Sequence, residues 1–182
     1  MAERNAETLT ALGGQRFERT RDAIREVLDS KERIPYPRWH GDGFYYNFWR
    51  DADHPRGLWR RTTLEQFRRE EPDWDVLLDV DALNRAENEN WTWGGATVLR
   101  PGHDRCLIEL SRGGADAAVV REFDLVRREF VEHGFTLPEA KSDVGWIDAD
   151  HLFVGTDFGP GSLTSSGYPR IAKRWRRGTP LS

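Results

Sequence analysis

The feature that most constrains this chain is a unit met three times: a polar turn, an apolar strand, a loop and a further strand. The copies read Trp39-His40-Gly41-Asp42-Gly43 into FYYNFWR, Pro101-Gly102-His103-Asp104 into RCLIELS, and Ile147-Asp148-Ala149-Asp150 into HLFVGTD. Each leads to another strand-like run: GLWRRTT from Gly57, AAVVREFD from Ala117 and RIAKRWRR from Arg170. A strand-rich unit recurring every few tens of residues is the mark of a β-propeller, in which stacked antiparallel sheets cover one another's apolar faces. The second strands begin at Phe44, Arg105 and His151, so the intervals are 61 and 46 residues. Loops of variable length between constant strand pairs account for that irregularity.

The strands group into blades over residues 36–83, 90–137 and 144–182, and the third blade reaches Ser182 without a fourth strand. In the first, the strands are expected at Arg38–His40, Phe44–Arg50, Gly57–Thr63 and Trp74–Asp79. In the second they are expected at Trp91–Leu99, Arg105–Ser111, Ala117–Phe123 and Glu129–Glu132, and in the third at Val144–Ile147, Leu152–Thr156 and Arg170–Arg177. In FYYNFWRD both alternating faces are largely aromatic, as a strand covered on both sides requires. The expected fold is therefore mainly β: a partial propeller of about two and a half to three four-stranded antiparallel blades over 34–182, behind a helical segment over 1–33. A chain that leaves its sheets unclosed exposes strand edges and aromatic faces, which predicts self-association or marginal stability in isolation.

The first thirty residues read as helix with an interruption at Gly13-Gly14, because paired glycines are costly inside a helix. The second helical stretch, from about Gln15 to Asp29, carries Phe17, Ile24, Val27 and Leu28 on one face. Ile34-Pro35-Tyr36-Pro37 then forces extended backbone. From there the texture is β, apart from a helix or turn at Leu64–Arg69.

Composition narrows the function classes. With 27 Lys+Arg against 31 Asp+Glu the net charge is -4, which disfavours a nucleic-acid or anionic-membrane partner. Mean hydropathy is low, at -0.74, but eight Trp and nine Phe supply enough buriable area for a folded domain. The single cysteine, Cys106, excludes an internal disulfide framework and a cysteine-rich metal site. The N-terminus lacks the apolar core of a secretory signal, and no apolar run approaches the ~18 residues needed to span a bilayer. These features point to a cytoplasmic setting.

The motifs that could carry chemistry resolve mostly to structural roles. A hydrolase nucleophile needs G-x-S-x-G at a strained strand-to-helix turn. The stretch Gly159-Pro160-Gly161-Ser162-Leu163-Thr164-Ser165-Ser166-Gly167 lacks that spacing and reads as a loop. His40, His54, His103, His133 and His151 form no H-x-x-x-H or H-E-x-x-H pattern, and three of them recur at turns, so no metal site is expected. Asp73-Trp74-Asp75, Asp79-Val80-Asp81 and Asp148-Ala149-Asp150 lack the rest of a calcium loop and read as turn formers. Lys173-Arg174-Trp175-Arg176-Arg177 reads as an outer strand whose cations discourage edge pairing. Trp39, Trp59, Trp91 and Trp93 are expected to pack between blades rather than to stack on a sugar. Arg112-Gly113-Gly114-Ala115-Asp116 reads as a tight hairpin turn. No catalytic residue, cofactor or metal is assigned.

The segments IPYPRWHGDGFYYNFWRDADHPRGLWRRTTLE, WDVLLDVDAL and VGWIDADHLFVGTDFGPGS resemble the N-terminal propeller region of the prolyl oligopeptidase family of serine peptidases. The likeness runs from about Ala2 to Leu181, and its most specific pieces are Pro35–Pro37, Phe44–Trp49 and the LLDVDAL segment. It implies a two-domain hydrolase in which a seven-bladed propeller covers an α/β-hydrolase domain. It also implies oligopeptide substrates that the propeller admits while excluding folded proteins. The family's nucleophile and acid–base groups lie mostly after the propeller, so the resemblance implies that this chain is a piece of that propeller, inactive alone. The rival expectations are a free-standing Trp-rich module for a peptide or carbohydrate, and a small complete enzyme with an unrecognised site.

Overall fold

Two adjacent glycines divide the N-terminal helices, α1 (Ala2–Leu12) and α2 (Gln15–Asp29), in a computed structural model that describes residues 2–30 and 32–181. Met1 and Ser182, the outer limits of the two expected segments, lie outside the described residues. The Gly13 amide closes the last turn of α1 on the Leu9 carbonyl at 2.8 Å. A Cβ at Gly13 would sit 2.1 Å from that same oxygen, and Gly14 adopts φ +131 at the start of α2. Both positions therefore demand glycine. Neither helix buries a residue, and the α2 stripe of Phe17, Ile24, Val27 and Leu28 stays exposed.

The rest of the chain forms three antiparallel sheets. The first runs in the order β1 (Arg38–Trp39), β2 (Phe44–Trp49), β3 (Leu58–Thr63) and β4 (Asp75–Asp79), with the short helix α3 (Leu64–Phe67) between its last two strands. The Thr63 hydroxyl caps α3 by accepting from the Gln66 amide. The helix α4 (Val80–Glu87) then leads to the second sheet. That sheet comprises β5 (Trp91–Val98), β6 (Arg105–Arg112), β7 (Ala118–Asp124) and β8 (Glu129–Phe130), with β9 (Thr136–Ala140) also paired to β7. The third holds β10 (Asp143–Asp148), β11 (His151–Gly155) and β12 (Ala172–Arg176), with β10 and β12 at its edges.

Two details differ from the sequence reading. Val80–Glu87 is helical, where continuous β texture was expected. The Asp79 carboxylate accepts from the Ala82 amide at 2.8 Å, and Asn88 ends the helix in the left-handed conformation at φ 52, so the two ends are capped by side chain and backbone respectively. In the second sheet, the strand expected at Glu129–Glu132 is only two residues long, and β9 further on supplies the longer partner of β7. Val131 and Gly134 turn the chain between them, and the Glu122 carbonyl accepts from the Val131 amide.

The three sheets stack, with the second in the middle. One core lies between the first and second sheets and contains Tyr46, Trp59, Leu78, Ile108, Leu110 and Phe123. The other lies between the second and third and contains Leu107, Val120, Phe135, Leu137, Leu152 and Val154. Strand β6 feeds both: Cys106, Ile108 and Leu110 face one core while Leu107 faces the other, as a period of two dictates. Polar ties cross the same seams. Arg56 reaches Thr92 Oγ1 at 3.1 Å and also the Asn90 side chain, Arg128 pairs with Asp75 at 2.7 Å, and the Trp146 indole donates to the Thr97 carbonyl at 2.8 Å. Among the described residues no helix is long and apolar enough to cross a membrane.

Candidate functional site

An open groove of about 770 Å³ lies beside the seam of the first two sheets. Its walls come from the extended segment after α2 (Arg33–Tyr36), from β1 and β2, and from the bulged middle of β5. The two prolines hold the first wall extended, which leaves Tyr36 83% exposed at the rim. The bulge at Gly94 brings the β5 backbone against Glu109, where a Cβ at Gly94 would lie 3.0 Å from the Glu109 Cβ.

The floor is aromatic. Phe48 stacks on Trp93 with centroids 5.1 Å apart, and Trp93 in turn packs on Trp59 at 5.1 Å. Trp59 continues the stack to Tyr46 at 5.6 Å and to Phe123 at 6.2 Å. His40 meets Tyr46 edge-on at 4.8 Å. The Tyr46 phenol donates to Asp42 at 2.5 Å, and burial together with that bond pushes its ionisation well up, so it stays protonated. Burial lowers the His40 pKa; Asp42 opposes that shift, while Arg100, Arg38 and His103 add to it. Burial thus favours the neutral form of His40.

On the far side of β2, Arg60 lies between Trp49 and Trp74, at 4.4 and 4.2 Å from the ring centroids, and donates to Asn47 Oδ1 at 3.0 Å. Burial pulls its pKa down to about 10, with Asp51 opposing the shift. Asp51 is itself occupied: it accepts from the Trp49 indole at 3.0 Å and from the backbone amides of Asp53 and His54.

The other sequence-derived candidates are scattered. The five histidines do not form one cluster: His103 lies near His40, while His54 bonds Asp51 and His151 bonds Asp148, each across one turn. Among the described residues no group of His, Cys, Asp and Glu is arranged to hold a metal ion. Asp148 accepts from the Asp150 amide at 2.8 Å, Asp79 caps α4, and Asp81 accepts from the Arg56 and Gly57 amides, so these carboxylates shape turns. Within the Gly159–Gly167 loop, Ser162 is buried and its hydroxyl donates to the Gly159 carbonyl while accepting from the Phe158 amide. That is a loop clasp, which the Asp157 carboxylate joins by accepting from the same hydroxyl at 3.4 Å. The basic run lies on β12, where Trp175 packs on Phe135 at 4.9 Å. Gly113 and Gly114 take positive φ in the β6–β7 hairpin, as the turn requires.

Of the four tryptophans expected between blades, Trp59 and Trp93 form the inter-sheet stack, and Trp91 is buried with its indole donating to Glu87. Trp39 is 63% exposed and departs from that expectation, because β1 is an edge strand only two residues long. The sequence reading missed the groove itself. Its signal was present in the adjoining Arg33, Arg38 and Arg50 and in the Gly94-Gly95 pair, but the convergence depends on the stacking of two sheets.

The model of the prolyl oligopeptidase N-terminal β-propeller domain matches residues 11–182. The chain is 47% identical over 155 residues to the uncharacterized peptidase y4nA of Sinorhizobium fredii, covering 85% of this chain and 21% of that protein. It is 31% identical over 185 residues to the uncharacterized peptidase RP174 of Rickettsia prowazekii, covering 97% of this chain and 26% of that one. Among solved structures, a post-proline cleaving enzyme from Rickettsia typhi superposes with a TM-score of 0.90 at 31% identity, over 99% of this chain and 27% of the enzyme. Oligopeptidase B from Leishmania major shares the fold at 14% identity, with a TM-score of 0.65 over 87% of this chain and 21% of that one. The chain thus spans about a fifth to a quarter of the length of these relatives. From its stacked antiparallel sheets, its helical lead-in and these matches, the chain belongs to the prolyl oligopeptidase N-terminal β-propeller family.

Proposed function

We propose that this chain forms the opening portion of the propeller of an oligopeptide-cleaving serine peptidase. In this reading it admits peptides to an α/β-hydrolase domain and contributes no catalytic group of its own. The observation that carries it is the superposition on the post-proline cleaving enzyme of Rickettsia typhi, at a TM-score of 0.90 over 99% of the chain. The internal arrangement agrees: Trp59 and Trp93 pack between sheets, Asp79 caps a helix and Asp148 forms a turn. The buried, unpaired Cys106 fits the cytoplasmic setting that the composition favours. The outward face of the third sheet, where Phe153 is exposed, is where a further blade would stack, and its edges β10 and β12 are where copies of the isolated chain would associate.

The test joins this chain to the part of the Sinorhizobium fredii relative that follows the matched region. The fusion is expected to cleave a chromogenic Gly-Pro substrate and short proline-containing peptides while sparing folded proteins. The chain alone is expected to show neither turnover nor labelling by a serine-directed covalent probe. Turnover by the chain alone, or a fusion that binds the probe yet cleaves no peptide, would overturn the proposal.

A further inference from the structure

The groove has a charge pattern that the rest of the molecule does not prepare. Its lining includes Arg33, Arg38 and Arg50 together with His40, and no carboxylate. The chain as a whole carries a net charge of -4, so a lining with three arginines and no carboxylate is not a sample of its average surface. Several arginines elsewhere are neutralised by a carboxylate: Arg61 by Asp75, Arg112 by Glu89 and Glu139, Arg121 by Glu87, Arg177 by Glu122. Around the groove none of the three guanidiniums has a carboxylate partner among the described residues, and Arg50 touches only the face of Phe48, at 5.5 Å. Two acids stand behind the lining and are already engaged, Asp42 by the Tyr46 phenol and Asp51 by Trp49 and His54.

Two further features say what kind of anion would fit. The aromatic surface of Phe48 and Trp93 offers contact area for apolar side chains, which a bare inorganic anion would not use. Strand β5 ends its sheet, so among the described residues one backbone edge beside Gly94 and Gly95 has no partner strand and is open to an extended chain. Cations, aromatic area and a free strand edge together match a short peptide that carries a carboxylate.

We propose that this groove is a binding subsite for an oligopeptide carboxylate, held by Arg33, Arg38 and Arg50 over the Phe48–Trp93 floor. The assignment rests on the oligopeptidase reading above and adds where, and by which group, the peptide is first held. The carboxylate is either the peptide's C-terminus or an acidic side chain, and the guanidinium chemistry is the same for both.

The experiment titrates the chain with a hexapeptide containing one internal glutamate, following tryptophan fluorescence and binding heat. Parallel titrations use its C-terminal amide, its Glu→Gln analogue and inorganic phosphate. Removing the recognised carboxylate is expected to weaken binding about ten-fold, the loss of one charge-assisted contact. Arg38→Gln and Arg50→Gln are each expected to weaken binding of the free acid about ten-fold, and Arg38→Lys to restore part of it. Arg127→Gln, which makes the same charge change outside the groove, is the control and should leave binding unchanged. Both groove arginines are exposed, so these variants should keep the near-UV circular dichroism of the parent. A loss confined to the amide places the C-terminus in the groove, and a loss confined to the Glu→Gln peptide places the side chain there; either upholds the proposal. Absence of binding, equal binding of all three peptides, phosphate binding as tightly as the peptide, or an equal loss in Arg127→Gln would overturn it. If the groove binds no carboxylate while the fusion described above still cleaves peptides, only this assignment fails.

Discussion

Replacing Glu122 with alanine should remove more stability than any other single polar change in this chain. The carboxylate is buried between the second and third sheets, with its side chain 0% exposed. It takes two hydrogen bonds from Arg177, at 2.7 and 3.0 Å, one from Arg105 at 3.0 Å and one from the Phe135 amide at 2.8 Å. Breaking a buried ion pair from one side costs about 3–5 kcal/mol, because the surviving charge keeps its desolvation and loses its partner. Here the Arg177 and Arg105 side chains are 23% and 34% exposed and can regain water, which pulls the cost to the lower end. The orphaned Phe135 amide adds about 1 kcal/mol, so about 3–4 kcal/mol is expected in total. For a chain of this size that corresponds to a fall of roughly 6–16 °C in Tm.

The acid dependence carries a sign. Burial alone would raise the Glu122 pKa, but the bonds from Arg177, the Phe135 amide and Arg105 outweigh it and hold the group below its ordinary value of 4.5. A depressed carboxyl contributes stability that is complete above its unfolded value and is lost as pH falls through the folded one. The gap between wild type and Glu122→Ala, measured by urea denaturation, should therefore be constant near neutral pH and shrink below about pH 4.5. A gap under about 1 kcal/mol at neutral pH, or one that widens on acidification, would refute the reasoning.

Trp59→Ala removes the centre of the inter-sheet stack and should cost about 3–5 kcal/mol, with loss of the aromatic near-UV signal; an unchanged urea midpoint would count against the stack as a stabilising element. Gly57 sits at φ +104, and a Cβ there would lie 2.5 Å from the Phe48 ring. Gly57→Ala should therefore destabilise by about 2–3 kcal/mol, measured by thermal melting, while Gly145→Ala, with open space around it, should stay within about 0.5 kcal/mol. Cys106 is fully buried and burial pushes its thiol pKa well up, so a thiol reagent should label it only as fast as the chain unfolds. Rapid labelling under native conditions would show that the core between the first two sheets opens without global unfolding.

Most strands were legible because their residues alternate or run apolar between Gly, Asp and Pro punctuation. Phe44–Trp49 and Cys106–Leu110 are examples, and the chain pairs them where that pattern predicts. The helix at Val80–Glu87 was not, although Asp79 and Asn88 mark its two ends. Eight residues hold barely two turns, and the LLDVDAL run that spans the helix start reads equally well as strand. Strand β9 was obscured by Pro138, which demotes a run to an edge, and β9 is indeed an outer partner of β7. Asp81 holds the distant Arg56 and Gly57 amides, whereas the roles of Asp79 as a helix cap and Asp148 as a turn former followed from local chemistry. The groove did not, since Arg33, Arg38 and Arg50 meet Trp93 only after two sheets have stacked. Glu122 likewise looked like an ordinary strand residue until Arg177, distant in sequence, reached it.

Strand β6 gives its odd and even positions to different interiors, with Leu107 serving one and Ile108 the other. A slip of one residue in its pairing would therefore exchange the contents of two compartments at once, and neither could repair itself alone. Such a strand acts as a shared hinge pin for the three layers, so they should melt as one body and report a single transition whichever layer carries the probe.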